Sequence, residues 1–210
     1  MVTEHVETLI VGGGQAGLAM SHMLSRRGCP HLVLERGRIA ERWRSERWDG
    51  LRFQFPNWSV RLPDFLFPSE EPDGFATSSE IVAYLEAYAR SVNPPIRCGV
   101  AVTGLRRVEG GRGILAQTSS GSIVATNVVI ATGPYQRAVV PRLLAGDCEL
   151  FQVHASAYKG PEQLPSGAVL VVGSGASGAQ IAEELSRAGR KVYLSVGRHK
   201  RMPRRYRGTI

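Results

Sequence analysis

Cysteine is scarce in this sequence of 210 residues, and Cys29, Cys98 and Cys148 stand far apart. None of them belongs to a C-x-x-C pair, which argues against a dithiol redox centre or a disulfide framework and favours a reducing compartment. Apolar runs stay well below the roughly 18 residues of a membrane-spanning helix, and the N-terminus lacks the basic start and apolar region of a signal peptide. We therefore expect a cytoplasmic protein with no membrane span, and we predict no metal site.

Acidic residues are missing from the C-terminal part of the chain. The formal net charge is +8, and residues 187–210 contain nine Lys or Arg but no Asp or Glu. Such a segment is open to three interpretations: a nucleic-acid patch, a solvated basic surface, or a site for an anionic cofactor. The nucleic-acid interpretation rests on this segment alone, so we expect no nucleic-acid partner. Arg204, Arg205 and Arg207 are left unassigned.

Glycine, in contrast, is plentiful, and two glycine clusters organise the chain. The first cluster follows residues 6–11, which predict a buried parallel strand, and precedes a helical pattern over residues 15–27. Gly12, Gly14 and Gly17 have the G-x-G-x-x-G spacing of a dinucleotide fingerprint. Gly12 permits the tight turn, Gly14 lets the backbone approach a pyrophosphate, and Gly17 lets the helix pack closely on the strand.

Neighbouring residues complete this predicted first site. The helix N-terminus, with Gln15 and Ala16 in its first turn, offers unpaired N–H groups and a positive dipole to phosphates. Glu35 ends the next apolar run, 18 residues after Gly17. A carboxylate at this distance can accept hydrogen bonds from a ribose diol.

Arginine and aromatic residues alternate through residues 36–75, where prolines interrupt regular structure. One interpretation is a loop that covers the sheet with its aromatic side chains. The other is a wall for a flat ring system, with guanidinium groups for phosphate. We favour the second interpretation for Arg42 and Trp43 because they follow the ribose carboxylate closely. Arg36 is added to the predicted cofactor contacts.

Further strands follow this segment. A capping box over residues 77–80 predicts a helix, and three strands are predicted after it: 96–108, 113–118 and 122–131. The last strand ends in small residues, which allow a ligand to come close to the carboxyl edge of the sheet. Cofactor contacts are predicted at Val102 and at these small residues: Ala131, Thr132 and Gly133.

The second glycine cluster repeats the pattern of the first about 160 residues later. An apolar run over 168–172 leads into another G-x-G-x-x-G, a helical pattern follows, and residues 192–196 predict another strand. The predicted cofactor contacts of this second site are its glycines and the serines between them: Gly173, Ser174, Gly175, Ser177 and Gly178.

The two sites differ at the end of their second strand. No acid follows the strand at 192–196, and Arg198 stands 20 residues after Gly178, where a guanidinium group would meet a 2′-phosphate. Glu35 suits the free ribose 2′-hydroxyl of FAD or NAD at the first site, and at the second site we predict NADP(H) in preference to NAD(H). Two nucleotide sites in one chain indicate an electron relay in which a nicotinamide reduces a bound flavin.

These patterns predict an α/β fold with two tandem Rossmann-like dinucleotide-binding domains. We place an FAD-binding domain at residues 1–160, with a helical and loop insertion over about 36–95 and a β-meander over about 96–130. Residues 161–210 begin an NAD(P)H-binding domain that is incomplete, since its two strands and one helix leave an exposed edge and little core. We expect an N-terminal portion of a longer protein, with a homodimer among its expected assemblies.

The residues quoted so far resemble the flavin-containing monooxygenase family, which includes Baeyer–Villiger enzymes and many bacterial members. The resemblance covers essentially the whole chain. Residues 12–17 with Glu35 are similar to the family's FAD site, and residues 173–178 are similar to its NADPH site. Arg42-Trp43 resembles the flavin-contacting stretch, and Ala131-Thr132-Gly133 resembles the ATG motif that returns to the FAD domain.

Between its two sites the family carries F-x-G-x-x-x-H followed by an aromatic residue. His154 and Tyr158 match the second half of this motif, whereas Cys148 and Leu150 stand in place of its Phe and Gly. Tyr158 resembles the branch that oxidises heteroatoms. His154 is also open to interpretation as a linker residue hydrogen-bonded to the backbone.

A second departure concerns the loop near the flavin. Many family members have Asn two residues before a loop proline, next to the reactive carbon of the flavin. Here Gln54 stands two residues before Pro56, which keeps an amide that is one methylene longer. The resemblance implies a catalytic role for this stretch, and we predict Gln54 and Asn57 as its catalytic residues.

The resemblance also implies a reaction. NADPH would pass hydride to the flavin, and O2 would form a C4a-hydroperoxyflavin that oxygenates a small substrate at a soft nitrogen or sulfur atom. One alternative is an NAD(P)H–flavin oxidoreductase with an acceptor other than O2, and another is a truncated flavin-binding module without turnover. We find no nucleophile–base–acid triad, and this chemistry needs none.

Overall fold

The computed structural model describes residues 4–134, 136–140 and 150–198. In chain order these residues form the following strands and helices: β1 (Glu4–Val11), α1 (Gln15–Ser25), β2 (His31–Glu35), α2 (Glu41–Ser45), β3 (Arg61–Leu62), β4 (Phe65–Leu66), α3 (Ser78–Val92), β5 (Ile96–Cys98), β6 (Val102–Arg107), β7 (Ile114–Thr118), β8 (Gly121–Ile130), β9 (Val169–Val172), α4 (Ala176–Arg187) and β10 (Val192–Ser195).

The chain separates into two compact units. The first unit comprises Met1–Arg44, Arg61–Pro68 and Ile81–Gln136. The second unit comprises Ser45–Val60, Ser69–Glu80 and Arg137–Ile210. Each unit holds one of the glycine clusters, and the second unit also holds most of the loop that follows α2. The domain limits at residues 160 and 161 remain a prediction.

A six-stranded sheet in the order β5-β2-β1-β8-β7-β6 forms the centre of the first unit. Strands β2 and β8 both run parallel to β1, and Val11 pairs with Leu34 on one side and with Ile130 on the other. The carboxyl ends of the three strands therefore meet at one edge, where doubly wound sheets bind their ligands. This parallel, helix-connected arrangement confirms the predicted α/β fold class.

The meander differs from the sequence expectation at its first strand. The segment predicted as one strand over 96–108 divides at Gly99, whose φ of 77° turns the chain. The part before this turn is β5, which pairs with β2 in parallel, and the part after it begins β6. Strand β8 then pairs antiparallel with β7 and parallel with β1, so one strand closes the meander and returns to the parallel sheet.

Apolar side chains of β1, β2 and β8 make the core of the first unit. Leu9, Val33 and Leu18 are completely buried. Residues 9–11 of β1 and 32–34 of β2 are buried inside the parallel part of the sheet, and both stretches are continuous apolar runs. Val102 is half-buried and packs against the cluster of buried residues around Leu9.

The β3–β4 hairpin is held on α3 by aromatic contacts. The Phe65 ring centroid lies 5.4 Å from the ring centroids of Tyr84 and Tyr88. The Tyr84 hydroxyl donates a hydrogen bond of 2.7 Å to the Phe65 carbonyl oxygen. These residues of the aromatic segment therefore cover the core, as the structural interpretation of residues 36–75 expects.

Asp64, in the turn of this hairpin, is predicted to make folding stability depend on pH. Its carboxylate accepts hydrogen bonds from His22 Nε2 at 2.9 Å and Arg26 Nη1 at 2.7 Å. The hydrogen bond from His22 and the charge of Arg26 hold the Asp64 pKa below its ordinary value of 3.8. A lowered pKa in the folded state stabilises the fold above the unfolded-state pKa, and this stabilisation is lost as pH falls through the folded-state pKa.

We expect Asp64→Asn to lower the urea midpoint of unfolding near neutral pH and to change it little at a pH below the folded-state pKa. Asparagine tolerates the positive φ of 58° at this position, so the substitution removes the charge without adding backbone strain. An equal effect of the substitution at both pH values would contradict the assignment.

The second unit is built on a parallel pair, β9 and β10, in which Val169 pairs with Val192. Helix α4 connects the two strands and buries Ile181 and Leu185.

The second unit also contains the predicted capping box. The Thr77 backbone N–H donates to Glu80 Oε2 at 2.7 Å, and the Glu80 N–H donates to Thr77 Oγ1 at 3.2 Å, which confirms it. Among the described helices, none has the length and apolarity to cross a membrane.

Candidate dinucleotide-binding sites

Two glycines of the first fingerprint are required by close backbone packing. Gly12 has a φ of 113°, and its N–H donates to the Leu34 carbonyl oxygen at 2.8 Å. A Cβ atom on Gly12 would lie 2.5 Å from the Ala131 carbonyl oxygen, and one on Gly17 would lie 1.8 Å from the Gly12 carbonyl oxygen. The tight turn and the close helix therefore exclude any side chain at these positions.

Gly14 differs from its two partners because it faces open space. A Cβ atom at this position would meet nothing within 4 Å. Gly14 is the N-cap of α1, and Gln15 and Ala16 in the first turn are exposed. The space lies where a helix N-terminus presents its unpaired N–H groups to an anion. The space beside Gly14 is therefore open to a ligand group.

Glu35 is fixed by the fingerprint itself. Its Oε2 accepts a hydrogen bond from the Gly13 N–H at 2.7 Å, and its Oε1 accepts one from the Gly37 N–H at 2.8 Å. An ionised carboxylate has about four acceptor positions, so two remain for hydroxyl groups. The side chain is half-buried at the end of β2. This arrangement fits a ribose diol and holds the acceptor in place before a ligand arrives.

The charge of Glu35 also reaches its neighbour on β5. Cys98 pairs with Glu35 across the β2–β5 register. Burial, and to a lesser degree the Glu35 charge, raises the pKa of the Cys98 thiol. Cys98 is therefore a poor nucleophile at neutral pH, in keeping with the absence of a dithiol centre from the sequence.

The segment after β8 is tied to α2. Arg42 Nη1 donates to the Pro134 carbonyl oxygen at 2.8 Å, which places its guanidinium beside the turn Ala131–Gly133. Gly133 has a φ of 75°, and the Gln136 amide donates to its carbonyl oxygen at 3.2 Å and also to that of Thr132. In this unit Arg36 is exposed and Trp43 is half-buried. The first unit thus gathers the first fingerprint, Glu35, Arg42 and this turn.

The second fingerprint repeats the geometry of the first. A Cβ atom on Gly178 would lie 1.9 Å from the Gly173 carbonyl oxygen, whereas Gly175 has nothing within 4 Å. The Gly173 N–H donates to the Ser195 carbonyl oxygen at 3.0 Å, as Gly12 does to Leu34. Gly175 is the N-cap of α4, Ser174 is half-buried and Ser177 is exposed. The second site therefore offers a second open helix N-terminus for phosphate.

Arg198 lies just after β10 and is exposed. It belongs to the second unit, as the second fingerprint does. The rest of the basic segment, from His199 to the C-terminus, lies outside the described residues, and so does Cys148 of the partly matched motif.

The two predicted catalytic residues have different surroundings in the second unit. The Gln54 side chain is exposed and forms no hydrogen bond with another described residue. Asn57 is buried, and its Nδ2 donates to Ser69 Oγ at 2.9 Å and to the Glu71 carbonyl oxygen at 3.1 Å. Its Oδ1 is buried and has no partner among the described residues. Asn57 therefore holds the turn at residues 69–74, and its catalytic role remains a prediction.

His154 and Tyr158 turn away from solvent into local contacts. His154 Nδ1 accepts a hydrogen bond from the Ser156 N–H at 3.2 Å, which supports its interpretation as a linker residue. Tyr158 is 2% exposed, and its hydroxyl donates to Glu184 Oε2 at 2.8 Å. Burial, together with the Glu184 carboxylate, raises the Tyr158 pKa far above its ordinary value. Tyr158 is thus a neutral hydrogen-bond donor at neutral pH.

Sequence patterns do not single out two α4 residues that contact the loop after α2, Gln180 and Glu184. Both partners of Gln180 lie on Arg52, 128 positions away in the chain. Periodicity reports only that these two residues share a helix face.

Within the described ranges, no group of three or more His, Cys, Asp or Glu side chains could hold a metal ion.

Comparison with known proteins shows which family the chain belongs to. The family described as pyridine nucleotide-disulphide oxidoreductase matches residues 9–208. A CzcO-like oxidoreductase of Geobacillus kaustophilus is 41% identical over 194 residues, which cover 91% of this chain and 54% of the relative. Indole-3-pyruvate monooxygenase YUCCA1 of Oryza sativa subsp. japonica is 34% identical over 204 residues, covering 90% and 47%.

Solved structures agree with the sequence relatives. A flavin-containing monooxygenase from Stenotrophomonas maltophilia superposes with a TM-score of 0.80 and 25% sequence identity, over 94% of this chain and 59% of that structure. The chain thus spans about half the length of the curated relatives it matches. With its paired fingerprints and a family match over residues 9–208, the chain belongs to the pyridine nucleotide-disulphide oxidoreductase family.

Proposed function

We propose that this chain supplies the FAD-binding and NADP(H)-binding elements of a monooxygenase that oxygenates a small substrate at a soft nitrogen or sulfur atom. The observation that carries the proposal is the repeated fingerprint, in which Gly14 and Gly175 each leave open space at a helix N-terminus. Two such sites in one chain suit a nicotinamide and a flavin. The similarity to two proteins named as monooxygenases favours O2 as the final acceptor.

In the first unit the chain's own residues would hold FAD. Gly14 would admit the pyrophosphate to the start of α1, and Glu35 would accept hydrogen bonds from the adenosine ribose. When bound, the flavin supplies the redox chemistry, since it can accept hydride from NADPH and react with O2. Arg42 and the turn Ala131–Gly133, tied together at 2.8 Å through Pro134, would fix the crevice beside β1.

In the second unit Gly175 would admit the pyrophosphate of NADP(H), and Arg198 would bind its 2′-phosphate. The strand before Arg198 ends without an acid, so nothing in this position favours a free ribose hydroxyl. Gln54 is exposed in the same unit, so its side-chain amide is available to hydrogen-bond a bound ligand. It is the better of the two predicted catalytic residues, because the Asn57 amide is engaged within its own loop.

Arg198→Ala is expected to weaken NADPH binding by about tenfold and to leave NADH binding unchanged within about twofold. A tenfold loss corresponds to about 1.4 kcal/mol, the size of one exposed charge-assisted hydrogen bond. The measurement is a titration of each nucleotide by intrinsic fluorescence or calorimetry. Arg187→Ala is the matched control, because it removes an equal charge from the exposed end of α4. Equal binding of NADH and NADPH by the unsubstituted chain would contradict the NADP(H) assignment.

The reaction class is tested by adding NADPH to the FAD-loaded chain without oxygen, then admitting O2 with a sulfide or an amine. We expect NADPH to bleach the flavin spectrum and O2 uptake to match the oxygenated product. Bleaching with O2 uptake but no product would overturn the monooxygenase proposal and favour an oxidoreductase with another acceptor. No bleaching, with FAD and NADPH both bound, would overturn the proposed relay.

A further inference from the structure

Helix α4 does more than begin at the second fingerprint, because one of its side chains binds the backbone of the segment before Gln54. Gln180 Oε1 accepts a hydrogen bond from the Arg52 N–H at 3.0 Å, and Gln180 Nε2 donates one to the Arg52 carbonyl oxygen at 3.0 Å. Both backbone groups of one residue are thus paired with one side-chain amide. The contact imitates a neighbouring β-strand, since it satisfies a donor and an acceptor on the same edge.

The opposite edge of the same segment is paired with backbone. Arg52 forms an isolated antiparallel bridge with Thr77, and the Phe53 N–H donates to the Ala76 carbonyl oxygen at 2.7 Å. Residues 52–53 therefore lie between a short backbone ladder and the Gln180 amide. Gln54 follows directly, so its position depends on how this ladder is held.

One turn further along α4, Glu184 makes a second contact with the same loop. A Cβ atom on Gly50 would lie 2.0 Å from Glu184 Oε1, so the loop backbone lies directly against this carboxylate. Glu184 Oε2 accepts the Tyr158 hydroxyl hydrogen bond, and Lys159 Nζ donates to the carbonyl oxygens of Ser45 at 2.6 Å and Arg47 at 2.9 Å. All of these residues belong to the second unit. The loop before Gln54 is thus held by Gln180 and Glu184 of α4 and by Lys159.

We infer that Gln180 is a positioning residue that couples nucleotide binding at the N-terminus of α4 to the segment carrying Gln54. The inference rests on the proposed function, because it takes NADP(H) as the ligand of the second fingerprint. Gln180 is four residues after Ala176, the first residue of α4, about one helical turn from the phosphate position. A ligand that fixes the start of the helix also fixes the amide that holds Arg52. Binding then orders the backbone of residues 52–53 through Gln180, and with it the position of Gln54.

The test follows hydrogen exchange of the Phe53 N–H with and without saturating NADP+. This amide is a fair reporter, since its own acceptor, the Ala76 carbonyl oxygen, is retained when Gln180 is replaced. In the unsubstituted chain we expect NADP+ to slow its exchange by about tenfold. In Gln180→Ala we expect the slowing to fall below about twofold, while the NADP+ dissociation constant changes by less than about threefold.

Two further variants separate positioning from a general loss of structure. Glu183→Ala removes an exposed carboxylate, paired with Arg187, three residues further along α4, and is expected to keep the full slowing at Phe53. Gln180→Glu keeps an acceptor for the Arg52 N–H but sets an oxygen against the Arg52 carbonyl, so we expect it to keep only part of the slowing. If Gln180→Ala does not fold, Gln180→Glu is the variant that tests the coupling.

The outcomes distinguish the two proposals. Full slowing at Phe53 in Gln180→Ala or in Gln180→Glu would overturn the coupling, and so would NADP+ binding to the unsubstituted chain without any slowing. In either case the proposed function would stand. Failure of the unsubstituted, folded chain to bind NADP+ would overturn the proposed function and the coupling with it.

Discussion

Gly17→Ala is expected to abolish FAD retention and to lower the free energy of unfolding by about 3 kcal/mol, the upper part of the range for overpacking. The reason is that the added methyl would lie 1.8 Å from the Gly12 carbonyl oxygen, and the Gly12 carbonyl carbon lies at 3.0 Å. Both are backbone atoms of the turn, so no side chain can move aside. Helix α1 must shift away from β1, and the N–H groups that we propose bind the pyrophosphate would shift with it.

Gly14→Ala is the matched substitution in the same turn. Unlike Gly17→Ala, it is expected to leave the free energy of unfolding unchanged. Its methyl meets no protein atom within 4 Å, and its φ of −88° suits any L-residue. We expect unchanged unfolding in urea but FAD binding weakened by about 100-fold, about 2.8 kcal/mol, because the methyl occupies the space assigned to the pyrophosphate. Equal FAD binding by Gly14→Ala and the unsubstituted chain would contradict a phosphate site at this turn.

Glu35→Gln is expected to weaken FAD binding by between about tenfold and 100-fold and to lower the free energy of unfolding by about 1–3 kcal/mol. Each Glu35 oxygen accepts one backbone N–H, from Gly13 at 2.7 Å and from Gly37 at 2.8 Å. An amide keeps one acceptor but turns an NH2 group toward the other donor, which is left unsatisfied. The neutral side chain would also lose the charge-assisted hydrogen bonds that we propose it accepts from the ribose hydroxyls.

The measurement for Glu35→Gln pairs urea unfolding of the FAD-free chain with an FAD titration. Glu109→Gln is the control, since Glu109 is exposed and its nearest ion pair, with Arg106, is 4.0 Å long. We expect this control to change neither quantity beyond about 0.5 kcal/mol. If Glu35→Gln lowered stability but left FAD binding intact, Glu35 would be a structural staple of the turn and not a ribose ligand.

The fingerprints could be predicted from sequence because part of what requires their glycines is local. Gly12 adopts a φ of 113° in the turn, and Gly17 packs against the Gly12 carbonyl oxygen five residues earlier, whereas the contact of Gly12 with Ala131 is visible only in the structure. The return of β8 to the parallel sheet could also be predicted, because the strand pattern over residues 122–131 is long enough to pair first with the meander and then with the parallel sheet. Neither prediction needs knowledge of distant contacts.

Contacts between distant parts of the chain could not be predicted in this way. Gln180 holds Arg52 across 128 positions, and no spacing rule connects a helix side chain to a loop backbone. Asn57 directly follows the loop proline Pro56, in the stretch predicted to be catalytic. Its amide nevertheless binds Ser69 and Glu71 within the same unit. The turn at Gly99 could not be predicted either. Strands β5 and β6 are too short to show separate periodicities, so residues 96–108 read as one strand.

The most direct test of the account is the visible absorption spectrum of the purified chain after incubation with FAD and desalting, with circular dichroism recorded on the same sample. We expect a flavin spectrum that survives desalting in the unsubstituted chain and is lost in Gly14→Ala, with both proteins folded. A folded, colourless unsubstituted chain would contradict the assignment of the first fingerprint, Glu35 and the crevice beside β1 as an FAD site.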